Sequence, residues 1–283
     1  MLYILLGLAA LSVTCQDIFK QKFNQKSKNG VFFFSGMISL FAMLFFIAVN
    51  RDWSYSTAQL IPSLAFAICY ASATLFAVLA IKHGSLAKTT LIVSCSLLIP
   101  SFYGMIFLGE PIGATLIIGT ILLIVALFMI NYEKNTARST IKWAIFVILA
   151  FIGNGMCSTV QKMEQNIFGD SGKNVFMIVA LAMVTVIMLI MSLASKEEKG
   201  SQTKIIKKGW LCAALCGVFN GLCNYLVLYL NPRLPASVMF PVISAGSVVL
   251  VFVYATLIQH EKFNTRQKLG YAVGVLSIIL LNL

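Results

Sequence analysis

Ten apolar stretches alternate along the chain with short clusters of charged or turn-forming residues. They cover roughly 2–20, 31–49, 58–80, 86–108, 114–132, 143–162, 175–195, 210–230, 236–258 and 269–282. About 20 apolar residues in a helix span the hydrocarbon core of a bilayer. Backbone polar groups inside lipid must be satisfied within the segment itself, so each stretch is expected to be a helix. The longest connection, 196–209, leaves no room for a soluble domain. The expected fold class is therefore an all-α integral membrane protein with ten transmembrane helices.

The chain repeats itself. Gly84-Ser85-Leu86-Ala87 opens an apolar run that ends at Leu108-Gly109-Glu110-Pro111, with Gly119 and Asn131 following. Leu234-Pro235-Ala236-Ser237 opens a second such run, followed by Glu261, Gly270 and Asn282. Glu110 and Glu261, Gly119 and Gly270, Ser96 and Ser247, and Asn131 and Asn282 share one offset, as do Leu79 with Leu230 and Lys82 with Arg233. A constant offset over two helices and the turn between them reads as duplication, with repeats at 1–133 and 141–283. Five spans per repeat make the second enter the membrane from the opposite side. Two inverted five-helix repeats around a central cavity are expected, with a substrate site near the midplane where the halves meet.

Composition and charge sharpen this picture. Only 11% of residues are charged and 59% are hydrophobic, against about 25% charged in soluble domains. The first apolar run has no Lys or Arg before it and no small-residue cleavage site after it, so it reads as a span rather than a secretion signal. Of the 21 Lys and Arg, 17 fall in the connections on one face, leaving Arg51, Lys162, Lys173 and Arg233 on the other. Positively charged loops stay in the cytoplasm, which places both termini outside, in a plasma (inner) membrane. The net charge of +12 is thereby a topology signal, and no nucleic-acid partner is expected. The seven cysteines lie inside apolar runs, so no disulfide framework is implied. Cys212 and Cys216, four apart, are read as packing residues rather than metal ligands, because no His or carboxylate is near them in sequence.

The paired signatures Ser85-Leu86-Ala87 … Gly109-Glu110 … Gly119 and Pro235-Ala236-Ser237 … Glu261-Lys262 … Gly270 resemble the drug/metabolite transporter superfamily, in its ten-helix EamA-type branch. The resemblance covers essentially the whole chain. It implies a bundle whose cavity is lined mainly by spans 1, 3, 4, 6, 8 and 9, and cargo among amino acids, sugars, nucleotide sugars, amines or drugs. Ten-helix members are often drawn with cytoplasmic termini, the opposite of the charge count here. The four-helix multidrug-resistance relatives depend on a glutamate in their first helix. The corresponding position here falls near Ser12 or Val13, with no carboxylate.

Ionisable groups inside a membrane are functional candidates, and the sequence offers few. Asp17 is expected near the cytoplasmic end of span 1, Glu164 at the outer end of span 6, and Glu110, Glu261, His83 and His260 in turns or loops. Lys88 reads as the only base inside a helix, a candidate anchor for a substrate carboxylate. Neutral polar candidates for substrate binding are Tyr70, Ser94, Asn154, Asn220, Asn224, Tyr225 and Ser244. Asn220 and Asn224 stand four apart, on one helix face. Asp17 and Gln16, and the helix-interrupting Pro100 and Pro241, are candidates for coupling or gating.

The pattern points to a secondary transporter, facilitator or exchanger, of small neutral or zwitterionic metabolites such as amino acids. An exporter of organic cations or drugs, with Tyr70, Tyr225, Met239 and Phe240 as an apolar cage, is the alternative, as is a lipid-carrier translocator. No enzyme chemistry, cofactor or metal is expected. The expected partners are a small-molecule substrate and the lipid bilayer. One chain carrying both halves is compatible with a monomer and with a homodimer.

Overall fold

The computed structural model describes residues 2–26, 30–83, 89, 92–93, 95–111, 113–131, 141–195, 201–258, 260 and 264–281. Lys88, Ser94, Glu261 and the Gly84–Ala87 signature lie outside the described residues. Eleven longer helices are described: α1 (Leu2–Lys26), α2 (Val31–Val49), α3 (Leu60–His83), α4 (Leu98–Phe107), α5 (Ala114–Asn131), α6 (Ile141–Phe168), α7 (Lys173–Ala194), α8 (Ser201–Lys208), α9 (Trp210–Leu230), α10 (Ala236–Leu257) and α11 (Thr265–Leu281). No strand occurs among the described residues. Seven of these helices are long and apolar enough to cross a membrane, and the apolar segments Cys95–Phe107 and Ala114–Ile130 are shorter.

Two helices depart from the sequence reading. The connection 196–209 contains α8, whose Ile205 is buried in a cluster with Phe23, Phe34 and Ile38. One apolar anchor thus docks a basic segment on the bundle. The run expected over 86–108 contains a 3-10 turn, Cys95–Leu97, before α4. Pro100 sits in the first turn of α4, where its missing N–H costs little. Pro241 lies inside α10.

Many of the helix contacts come in related pairs. The ten expected spans fall on α1, α2, α3, the segment ending in α4, α5, α6, α7, α9, α10 and α11. Exchanging the first five with the last five maps α3 on α6 to α9 on α1, and α2 on α9 to α7 on α3. It also maps α1 on α10 to α6 on α4, while the pairs α2–α7, α4–α10 and α5–α11 map onto themselves.

Large apolar side chains cover the outside of the bundle, with Ile61, Phe107 and Ile141 all more than 70% exposed. In water such a surface would aggregate; in lipid it is solvated. The interior holds one cluster around Phe46, Phe66, Phe176 and Leu181 and another around Leu6, Leu230, Met239 and Phe240. Helices meet closely at small residues, as expected where packing rather than the hydrophobic effect drives association. A Cβ at Gly153 of α6 would meet the Ala73 backbone nitrogen at 2.9 Å and the Cys69 carbonyl at 3.0 Å. A Cβ at Gly270 of α11 would meet Met129 Cβ of α5 at 2.9 Å.

Candidate functional site

A ladder of neutral polar groups crosses the middle of the bundle. Thr14, the midpoint of α1, donates from Oγ1 to the Ala10 carbonyl of its own helix at 2.9 Å and lies 3.3 Å from the Ser247 carbonyl of α10. Asn154 of α6 donates from Nδ2 to Ser96 Oγ at 2.6 Å. Ser96 and Ser247 share the constant sequence offset, and they meet α6 and α1 respectively. A second run starts on α1: Asn220 Nδ2 donates to Gln16 Oε1 at 3.0 Å. Asn224 Nδ2 donates to the Asn220 carbonyl at 2.8 Å and to its Oδ1 at 3.1 Å. Gln161 Nε2 donates to Asn224 Oδ1 at 2.7 Å. This run ties α1, α9 and α6 together. Its asparagines are only partly buried, so the network leaves polar surface facing the interior.

Charged groups enter the bundle where the sequence did not show them. Lys162 is 4% exposed and lies inside α6, which runs on to Phe168; Lys88 is therefore not the only base within a helix. Lys162 Nζ donates to the carbonyls of Asn231 at 2.6 Å and Leu234 at 3.1 Å, and stands 3.6 Å from Glu110 Oε1. The Glu110 carboxylate accepts from the backbone nitrogens of Ala236 at 2.7 Å and Ser237 at 2.9 Å. It thus caps the N-terminus of α10, where the helix dipole favours an anion. Gly104 makes room for that carboxylate, since a Cβ there would run into it.

Glu164, placed by the sequence at a helix end, is fully buried. Its oxygens accept from Gln59 Nε2 at 2.7 Å and Gln165 Nε2 at 3.0 Å. Gln59 also donates to the Ser171 carbonyl at 3.1 Å, which fastens the start of α3 to the α6–α7 turn.

The charge-poor connections meet on one face. A cavity of about 560 Å³ opens there, lined by Asn50, Arg51, Asp52, Asp170, Lys173 and Tyr225 among others. A second cavity of about 420 Å³ is lined by Glu110, Lys162 and the 231–235 turn. Asp170 bridges them, 2.5 Å from Lys173 Nζ and 3.7 Å from Arg233 Nη2. The Lys173 hydrogen bond, helped by the charges of Lys173 and Arg233, holds the Asp170 carboxyl below the usual aspartate range. A depressed carboxylate stabilises the fold above its unfolded-state pKa and loses that contribution as pH falls through the folded value. The Asp170 side chain is 54% exposed, so the gain is small. The expected result is an Asp170 carboxyl titration, followed by carbon-13 NMR, with its midpoint below that of ordinary aspartates. Lys173→Gln should move the midpoint up.

The expected site residues are only partly brought together. Gln16, Asn154, Asn220 and Asn224 join the ladder. Ser244 is buried, and its carbonyl accepts from Ser247 Oγ at 2.8 Å. Tyr70 packs on Phe66 with ring centroids 6.2 Å apart, while Tyr225 packs edge-on against Phe45 and lines the larger cavity. The four-residue cage does not assemble. Met239 and Phe240 are buried in one apolar cluster, and Tyr70 and Tyr225 flank the other. Gln161 escaped the sequence reading, which named Lys162 only as a loop-face charge and Glu110 only as a turn residue. A signal for Glu110 existed, its repeat position beside Gly109, but its partner lies 126 residues away. All seven cysteines are free, and Cys216 Sγ donates to the Gln16 carbonyl at 3.6 Å.

A helical bundle with a lipid-facing apolar surface and a polar ladder across its interior is the build of a multi-pass membrane transporter. The chain belongs to the EamA-like transporter family, which it matches over residues 1–132 and 141–283. A solved structure described only as "Crystal structure of protein" is similar in fold, with a TM-score of 0.77 at 12% identity over 98% of this chain and 94% of the other. No curated protein sequence matches the chain.

Proposed function

We propose that this transporter moves small neutral or zwitterionic metabolites such as amino acids, as a facilitator or exchanger. It does so by alternating access between two inverted five-helix repeats, ten spans in all. The carrying observation is the ladder of Gln16, Asn220, Asn224 and Gln161 with Asn154 and Ser96. Neutral amides that already bond one another can exchange partners with a neutral or net-neutral solute at little desolvation cost. A multiply charged anion would need several converging bases. The symmetric packing of the halves supports the repeat arrangement. The lysine-rich connections support a plasma-membrane topology with both termini outside.

The test is counterflow of radiolabelled amino acids in liposomes with Tyr70→Ala, Asn154→Ala, Asn220→Ala and Asn224→Ala. Asn220→Ala should cut uptake about tenfold or more while the purified protein keeps its elution profile, since a hydrogen bond net of solvent exchange is worth about 1 kcal/mol and a lost buried partner more. Unchanged uptake in all four would remove the ladder from the transport path.

A further inference from the structure

The pair Asp17 and Lys20 has no place in the neutral ladder, and its position in the bundle differs from the one its sequence suggests. Because α1 continues to Lys26, Asp17 does not lie at the helix end. Thr14 is the midpoint of α1 and meets α10 near that helix's own midpoint. Gln16 bonds Asn220, the central residue of α9. Asp17 follows Gln16 directly and stands about 4.5 Å along the axis from Thr14, at the 1.5 Å rise per residue of a helix. Lys20 lies one turn further on, with its Nζ 3.9 Å from Asp17 Oδ1.

A lysine near a membrane surface normally extends its stem toward water outside. On α1 the side chains of Leu6, Ala9 and Gln16 are buried, while those of Ile4, Leu8 and Leu11 are exposed. At about 100° per residue, Asp17 and Lys20 fall on the buried face, between the direction of Gln16, which bonds α9, and that of Thr14, which meets α10. The pair therefore faces the inside of the bundle, on the side of α1 that packs on α9 and α10. Its side chains are 45% and 53% exposed. A charge pair held at that depth against lipid would cost several kcal/mol, so this exposure is to an aqueous interior. The pair is loose, at 3.9 Å, and both members keep hydrogen-bonding capacity for a third party.

Building on the amino-acid reading above, we infer that Asp17 and Lys20 form the head-group subsite for a zwitterion, with Lys20 taking the carboxylate and Asp17 the ammonium. Inserting the substrate exchanges one ion pair for two and leaves the net charge of the site unchanged. The Gln16–Asn220 bond on the adjacent position holds Asp17 in register. The stacked rings of Phe19 and Phe219, 6.2 Å apart, bound α1 and α9 near the pair.

The test uses the full chain in liposomes with L-leucine, L-threonine and L-phenylalanine as probes, each also supplied as its methyl ester and its N-acetyl derivative. Wild type should carry the free amino acids at least tenfold better than either derivative. Lys20→Gln should lose tenfold or more on the free amino acid while leaving the methyl ester unchanged. Asp17→Asn should do the same while leaving the N-acetyl form unchanged. Lys20→Arg should retain transport, and Lys22→Gln, which alters an exposed lysine over Phe19, should behave as wild type. Thermal unfolding of each variant separates misfolding from loss of binding. Amino-acid transport that survives both Lys20→Gln and Asp17→Asn overturns the subsite and leaves the broader reading standing. A folded wild type that moves none of the free amino acids overturns both.

Discussion

Glu110→Ala is expected to lower the unfolding free energy by about 3–5 kcal/mol, the usual cost of removing one partner of a buried ion pair. Two separate losses contribute. The nitrogens of Ala236 and Ser237 lose their acceptor, and a lost helix cap alone costs about 0.5–2 kcal/mol. Lys162 is then left at 4% exposure with two backbone carbonyls and no counter-charge. The two losses share Lys162 and the 231–235 turn, so they will not add. Paired replacement separates them: Glu110→Gln with Lys162→Met removes the charge imbalance and should recover most of the loss. Thermal unfolding in detergent reads both. Equal melting temperatures for wild type and Glu110→Ala would show that the pair holds nothing together. Glu110 also joins the end of α4 to the start of α10. Loss of this link should raise the accessibility of Asn231 and Leu234 to water, measurable by cysteine labelling at those positions.

Gly153→Val carries the second large effect. The α6 backbone passes so close to α3 that even a Cβ would sit 2.9 Å from the Ala73 nitrogen and from Ser72 Oγ. Backbone cannot rotate away as a side-chain tip can, so valine must push the helices apart. Overpacking of this kind typically costs about 1–3 kcal/mol and occasionally more. The displacement would also draw Asn154, the next residue, away from Ser96, so transport should fall along with stability. Gly7→Ala is the contrasting case. No atom lies within 4 Å of the added Cβ, and replacing a mid-helix glycine by alanine should stabilise α1 by up to about 1 kcal/mol. Comparable destabilisation by both substitutions would mean that backbone approach is not what Gly153 provides.

The helices and their approximate limits were legible in the chain because a bilayer imposes a local rule: each spanning segment must satisfy its own backbone and show lipid an apolar surface. Hydropathy alone therefore located α1, α2, α3, α6, α7, α9 and α10. The constant offset between the two stretches was legible as well, since it is a property of the chain whatever its surroundings. Asn154, Asn220, Asn224 and Gln16 were identifiable as polar residues in apolar runs; tertiary contacts join Gln16, Asn220 and Asn224 in one run and pair Asn154 with Ser96. Charge placement was different. Lys162 and Glu164 were assigned to a helix end, and Asp17 likewise, because a charged residue usually marks where a span stops. Helix α6 continues to Phe168 and α1 to Lys26, so these charges lie inside.

What the sequence determined by itself is thus the set of properties that depend on neighbours in the chain: apolar helices, loop charge and family. Only the tertiary structure decided which charges are buried and what satisfies them. Glu110 finds Ala236 and Ser237, Lys162 finds Asn231 and Leu234, and Asn224 finds Gln161, across separations of 126, 69 and 63 residues. The free energy of a buried charge is set by partners brought close in space. No local pattern encodes such partners until the helices have packed.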